Sequence, residues 1–139
     1  PTVPDKDKLV FVKKVPLLEG LPATVYPRLC EMLHPVKFNA GEVIMAVGEV
    51  TDDDSGMFFL SSGSASVTVN GAIVRHLVQG DYVGELALSK PGGVRSATVT
   101  AKEETSLLKL FRRAIMKMMK LYLAKVFSTI NIMKIIKYI

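Results

Sequence analysis

Between residues 36 and 110, glycine-containing turns divide the chain into short strand-like runs, and this spacing constrains the fold more than any other feature. A turn signal recurs roughly every ten residues, which is typical of an antiparallel sandwich or barrel. The dipeptide Asn70-Gly71, between two apolar runs, predicts a tight two-residue hairpin. Because the span leaves no room for a crossover helix, except in the few residues after Glu85, we expect an antiparallel jelly-roll barrel.

Helical patterns flank this mainly β span on both sides. We expect a short helix from about Leu9, a turn at Pro16, and a second helix from about Ala23 to Leu33. Beyond Phe111 the pattern is helical to the end, and its lysines leave no apolar stretch of the ~20 residues that a membrane span needs. We therefore predict a single domain, with an N-terminal helical segment (1–35), a barrel (36–110) and C-terminal helices (111–139).

The charge is distributed unevenly along the chain. Residues 1–101 carry nine Lys and Arg against eleven Asp and Glu, whereas residues 102–139 carry nine bases against two acids. A basic helical tail suits acidic partners, a membrane surface or nucleic acid, and it is also typical of a solvated face. The single Cys30 excludes an internal disulfide, and no leader pattern opens the chain, so we expect a reducing, cytoplasmic setting.

Two short segments carry the chemical signal. A strand-like run ends at Tyr82-Val83 and is followed by Gly84 and helix formers, which predicts backbone N–H groups at a helix N-terminus that bind an anion. Ten residues after Glu85, Arg95 supplies a planar fork of donors that suits phosphate. The Glu85 carboxylate would repel a phosphate unless it accepts hydrogen bonds from sugar hydroxyls. Together these groups indicate a nucleotide with adjacent phosphate and ribose, as in a cyclic 3′,5′-monophosphate.

These segments resemble the phosphate-binding cassette of the cyclic-nucleotide-binding domain, a sensor module of protein kinase regulatory subunits and of catabolite-activator-type regulators. The resemblance rests on Gly84-Glu85-Leu86-Ala87-Leu88 and Arg95-Ser96-Ala97-Thr98-Val99, and it covers roughly residues 9 to 120. It implies a jelly-roll barrel with N-terminal helices, a short cassette helix and C-terminal helices. We call residues 84–98 the cassette. The implied ligand is cAMP or cGMP, and the implied ligand-binding residues are Gly84, Glu85, Leu86, Ala87, Arg95, Ser96, Ala97 and Thr98.

Some of these positions have two readings. Leu86 and Ala87 would contribute backbone N–H groups, and the small Ala87 would let the phosphate approach. The Ser96 hydroxyl either binds the phosphate or base, or faces solvent from a strand. Ala97 and Thr98 either line the base or fill the sheet. Because related serines occur in binders of both nucleotides, cAMP and cGMP both stay open, with a slight preference for cAMP.

The tail has a predicted role as well. A base in the site would need an apolar or aromatic lid, and Tyr122 and Phe127 are the candidates, although either would also suit packing of a helix on the barrel. In the family, helices after the barrel carry the signal. The resemblance therefore implies an effector, such as a protein kinase, an ion channel or an exchange factor, reached through the C-terminal helices.

Other classes have weaker support in the sequence. A transcription regulator would need a DNA-binding domain that the residues after Leu121 are too few to form, so we expect no nucleic acid binding by this domain alone. A degenerate barrel that serves protein contact is a further alternative. His34 and His76 lack the spacing of metal ligands, and residues 52–54 lack the positions of a calcium loop. Without a nucleophile–base pair or paired carboxylates, we expect neither an enzyme nor a metal site.

Overall fold

Two short α-helices precede the sheets in this computed structural model, which describes residues 5–88 and 92–117. They are α1 (Asp5–Lys14) and α2 (Val25–Met32), with a 3-10 helix, Pro16–Leu18, between them. Proline suits the first position of that turn because its φ is fixed near the helical value and it has no N–H to leave unpaired. The Tyr26 hydroxyl of α2 donates to the Leu18 carbonyl at 2.7 Å, which fixes the two elements together. The predicted pair of N-terminal helices is confirmed.

Eight strands follow, and they form two four-stranded antiparallel sheets. The sheet orders are β1-β8-β3-β6 and β2-β7-β4-β5, so the chain passes repeatedly from one sheet to the other. This arrangement confirms the predicted mainly β, antiparallel jelly-roll fold. The strands are β1 (Leu33–Phe38), β2 (Val43–Met45), β3 (Gly56–Ser62), β4 (Ala65–Val69), β5 (Ala72–Leu77), β6 (Tyr82–Val83), β7 (Thr98–Ala101) and β8 (Thr105–Phe111). Residues 112–117 are helical.

The hairpin between β4 and β5 turns at the predicted dipeptide. Asn70 and Gly71 have φ values of 52° and 79°, and Val69 pairs with Ala72 across the turn. Two consecutive positive φ values define the type I′ turn, whose twist matches that of the strands. The hairpin prediction is therefore confirmed.

The boundary between α2 and β1 differs from the prediction, in which the helix runs to Leu33 and the barrel begins at residue 36. The helix ends at Met32, and Leu33 begins β1, where it pairs with Leu110 of β8. A residue before proline is disfavoured in the α region, so Pro35 forces His34 into extended backbone. Leu33 is therefore the first residue of the strand, and its side chain is buried.

Strand β3 is buried on both of its faces. Phe59 packs in a core that the N-terminal helices cover, together with Leu29 of α2 and Leu108 of β8. Phe58 and Leu60 point the opposite way, into a second core between the two sheets. Because both faces are covered, Gly56 to Leu60 read as a continuous buried run and do not alternate. Among residues 5–88 and 92–117, no helix combines the length and apolar character that membrane crossing requires.

Candidate functional site

The first half of the cassette is a tight turn after β6. Gly84 has a φ of 93°, a backbone conformation that favours glycine, and residues Leu86–Leu88 then form a single 3-10 turn. The Leu88 N–H closes this turn on the Glu85 carbonyl at 3.1 Å. The short cassette helix is thus one turn long, and Glu85 lies half-buried at its start.

Arg95 joins the second half of the cassette to the first. Its side chain is only 7 % exposed, and its Nη1 donates to the Gly84 carbonyl at 2.6 Å. Its Nη2 donates to the Gly56 carbonyl of β3 at 2.7 Å. A Cβ on residue 84 would lie 3.0 Å from Nη1 and 2.6 Å from the Met45 Cε, so a side chain there would have to shift the ends of both neighbours, in addition to the strained φ. The two segments singled out in the sequence therefore meet in the fold.

The electrostatic environment of Arg95 combines burial with nearby carboxylates. Burial lowers the pKa of the guanidinium, and the negative charges of Glu49 and Glu85 oppose that effect. An arginine stays protonated even after such a shift because its ordinary pKa lies far above neutral pH. A buried cation of this kind interacts strongly with an anion, since water screens it poorly.

A cavity of about 370 Å³ opens beside the cassette and brings most of the predicted residues together. Glu85 and Arg95 line one part of its wall, and Ser96 lies exposed at the wall. Thr98 does not line the cavity, and its hydroxyl accepts a hydrogen bond from the Val47 N–H at 3.0 Å. The predicted residues that line the cavity are Gly84, Glu85, Leu86, Ala87, Arg95, Ser96 and Ala97.

The remaining wall comes from strands that the sequence analysis did not assign to the site. It is mostly apolar, and it includes a second cation, Arg75 of β5, whose Nη2 lies 3.9 Å from Asp81 Oδ1. Alternation along β4 places Val67 and Val69 on the same face, which is the signal that could have found them. No local motif marks which strand face borders a cavity. The additional lining residues are Met45, Val67, Val69, Val74, Arg75, Val83 and Val99.

A second cavity, of about 450 Å³, lies near α2 and the start of the C-terminal helix. Its described lining includes His34, Phe111 and Arg113, and none of the predicted ligand-binding residues belongs to it. Seven of the eight predicted ligand-binding residues therefore line the 370 Å³ cavity beside the cassette. The lid candidates Tyr122 and Phe127 fall outside the described residues, so their role stays a prediction.

Comparison with known proteins gives a family match over most of the chain. The model of the cyclic nucleotide-binding domain matches residues 35–122. A cAMP-dependent protein kinase regulatory subunit of Emericella nidulans is 38% identical over 106 residues, which cover 73% of this chain and 24% of the subunit. A cyclic nucleotide-gated potassium channel of Rhizobium etli is 39% identical over 101 residues, which cover 73% of this chain and 27% of the channel.

Solved structures agree with the sequence matches. The regulatory domain of Toxoplasma gondii PKA with cAMP superimposes with a TM-score of 0.72 at 26% identity, covering 89% of this chain and 47% of that one. The chain spans about a quarter of the length of the curated relatives it matches.

Proposed function

Because this chain belongs to the cyclic nucleotide-binding domain family, we propose that it is a regulatory module that binds cAMP or cGMP in the cavity beside the cassette. Membership confirms the resemblance inferred from the two halves of the cassette. It also agrees with the prediction of a binding domain in place of an enzyme, since the matched relatives include regulatory subunits. The names of those relatives and the structure with cAMP favour cAMP as the first ligand to test.

The observation that carries the proposal is the junction of Arg95 with Gly84 at the cavity wall, beside Glu85. A guanidinium has five N–H donors, more than the two carbonyls of Gly84 and Gly56 use, and its planar fork suits a phosphate. In the proposed complex Arg95 and the backbone N–H groups of residues 86 and 87 bind the cyclic phosphate. The Glu85 carboxylate accepts a hydrogen bond from the ribose hydroxyl.

The apolar part of the cavity is the proposed binding site of the purine base. Its volume lies within the range of roughly 300–1,000 Å³ that is usual for small-molecule sites. The side chains of Val67 and Val69 give the base an apolar surface, and Ser96, which lines the same cavity, would contact the nucleotide through its hydroxyl. The predicted lid would close over this base.

Paired calorimetric titrations with cAMP and cGMP test the proposed function. We expect binding of at least one nucleotide by the unsubstituted chain and its loss in Arg95→Ala. Arg113→Ala is the control, because Arg113 is exposed and lies outside this cavity. Thermal unfolding of each variant shows whether it is folded during the titration. Absence of binding by the unsubstituted chain, or unchanged affinity in folded Arg95→Ala, would overturn the proposal.

We further propose that binding is passed to an effector through the helix that begins at residue 112. Three contacts support this route. The Arg112 Nε donates to the Leu88 carbonyl of the cassette at 3.2 Å. The backbone N–H groups of Arg112 and Arg113 donate to the carbonyls of Ser55 and Asp53, at 2.7 and 3.2 Å. Amide hydrogen exchange in residues 112–117 should change when nucleotide saturates the site, and unchanged exchange there would exclude this route.

The class of effector follows from the relatives. Protein kinase regulatory subunits recur among them, so a kinase is the first candidate, and the channel relative makes an ion channel the second. Co-purification with a candidate effector, in the presence and absence of nucleotide, distinguishes the two. A cytoplasmic location stays a prediction.

A further inference from the structure

Thr51 lies between the two halves of the cassette, although it belongs to the loop that joins β2 and β3. Its side chain is only 3 % exposed. Its Oγ1 lies 2.9 Å from the Ala87 carbonyl oxygen and 2.7 Å from the Gly93 carbonyl oxygen. One buried hydroxyl therefore contacts both the first half of the cassette, which contains Glu85, and the second half, which contains Arg95.

The backbone around Thr51 is already paired with the second half. The Thr51 N–H donates to the Gly93 carbonyl at 2.8 Å, and the Gly92 N–H donates to the Thr51 carbonyl at 3.2 Å. The Arg95 N–H donates to the Glu49 carbonyl at 2.9 Å, and Val50 and Val94 form an antiparallel bridge. This ladder fixes residues 92–95 to the loop.

The hydroxyl extends that pairing to the first half. A threonine hydroxyl has one proton to donate, and the Gly93 carbonyl already accepts from the Thr51 N–H. We therefore assign the Thr51 hydroxyl as a donor to the Ala87 carbonyl. The packing is close, because a Cβ on residue 93 would collide with the Ala87 carbonyl. Since Ala87 is largely buried, loss of this donor would leave its carbonyl oxygen without the hydroxyl partner at a position with little access to water.

We propose that Thr51 is a positioning residue that holds the two halves of the cassette together before the nucleotide arrives. This inference rests on the proposed function. Without the hydroxyl, the Ala87 carbonyl turns toward water in a fraction of the molecules. In those molecules Glu85 and Arg95 are no longer held in the relative position that binds the nucleotide. The apparent affinity for nucleotide then falls in proportion to the fraction of molecules whose cassette is competent to bind.

Thr51→Val and Thr51→Ser test the inference, because valine keeps the shape and lacks the hydroxyl, whereas serine keeps the hydroxyl. We expect calorimetry to show that Thr51→Val binds cAMP and cGMP roughly tenfold more weakly. A tenfold change corresponds to the loss of one buried hydrogen bond. Thr51→Ser should bind nearly as the unsubstituted chain does. If Thr51→Val does not fold, Thr51→Ala is compared with Thr51→Ser, since those two differ only in the hydroxyl.

Amide hydrogen exchange supplies a readout that a general loss of stability does not reproduce. In the ligand-free Thr51→Val variant, exchange at Leu88 and Gly92 should accelerate while exchange in the core strand β3 is unchanged, and saturating nucleotide should restore it. Equal affinity of a folded hydroxyl-free variant and the unsubstituted chain overturns the inference, as does failure of serine to rescue. If the unsubstituted chain binds no nucleotide, the proposed function fails, and the exchange comparison still decides whether the hydroxyl holds the cassette.

Discussion

The Nε of Arg112 donates a hydrogen bond to the carbonyl oxygen of Leu88, 3.2 Å away. Leu88 ends the 3-10 turn of the cassette, and Arg112 begins the helix that follows β8. The same guanidinium donates through Nη1 to Asp53 Oδ1 at 2.7 Å. One buried side chain thus connects the candidate ligand site, the loop of residues 52–54 and the C-terminal helix.

Arg112→Met should destabilise the domain by about 1–3 kcal/mol, because methionine fills the space of the arginine stem and leaves the Leu88 carbonyl without its donor. Arg113→Met is the matched control. Arg113 pairs with Asp54 in the same way, but both of these side chains are well exposed, and an exposed pair contributes less than about 1 kcal/mol. Urea unfolding measures both. Equal losses in the two variants would show that the Leu88 contact adds nothing.

Gly84→Ala should weaken nucleotide binding roughly tenfold, because the new methyl group would lie 3.0 Å from the Arg95 Nη1 and shift the guanidinium. Gly48→Ala is the control for backbone strain. Gly48 has a φ of 89°, close to the 93° of Gly84, but nothing lies within 4 Å of a Cβ built there. Both variants should lose stability through the strained φ, whereas calorimetry should show the large loss of affinity only for Gly84→Ala. Similar affinities in the two variants would contradict the proposed packing role.

Much of the fold could be predicted because its signals are local. The Asn70-Gly71 turn and the short strands between glycine-containing turns each depend on residues close together in the chain, and the structure reproduces them. The end of α2 was less predictable, since Leu33 is apolar at a helical spacing. Pro35 ends the helix nearby, and pairing with Leu110, far along the chain, includes Leu33 in β1. Tertiary pairing decides such boundaries over local pattern.

The candidate site shows the same division. Gly84 to Ala87 and Arg95 belong to recognisable local segments, and both line the cavity. Thr51 and Arg75 carry no motif, and they reach the site only because the fold brings the β2–β3 loop, β5 and the cassette together. Long-range contacts of this kind have no signature in one sequence, so the supporting residues of a site are harder to predict than the residues that would bind its ligand.

The pKa of Glu104 should lie below its ordinary value, because its carboxylate accepts a hydrogen bond from Lys37 and is attracted by the lysine charge. A depressed carboxyl pKa contributes stability above the unfolded-state pKa, and that stability is lost as pH falls through the folded-state pKa. Both side chains are exposed, so the contribution is small and screened by salt. An NMR titration should show the Glu104 pKa rise toward its ordinary value in Lys37→Met. No rise would mean that the pair is not populated in solution.

The role proposed for Glu85 predicts a coupling between this carboxylate and one hydroxyl of the ligand. In a 3′,5′-cyclic nucleotide the 3′ and 5′ oxygens of the ribose are both esterified to the phosphate. The 2′-hydroxyl is therefore the free ribose hydroxyl that Glu85 could bind. Glu85→Ala should weaken binding of cAMP by about 2 kcal/mol, the usual worth of a hydrogen bond to a charged group. Removal of the 2′-hydroxyl, in 2′-deoxy-cAMP, should weaken binding to the unsubstituted chain by a similar amount.

The combination of the two changes distinguishes this role from a charge effect on Arg95. Glu85 also raises the pKa of Arg95 through its charge, so Glu85→Ala alone could act through the arginine. If Glu85 binds the 2′-hydroxyl, Glu85→Ala should bind cAMP and 2′-deoxy-cAMP about equally, because the contact is already lost. If the two losses add, Glu85 acts on the phosphate through Arg95 and the ribose contact is wrong. The double-mutant cycle needs four calorimetric titrations, of the unsubstituted chain and of Glu85→Ala, each with cAMP and with 2′-deoxy-cAMP. Thermal unfolding shows whether Glu85→Ala is folded.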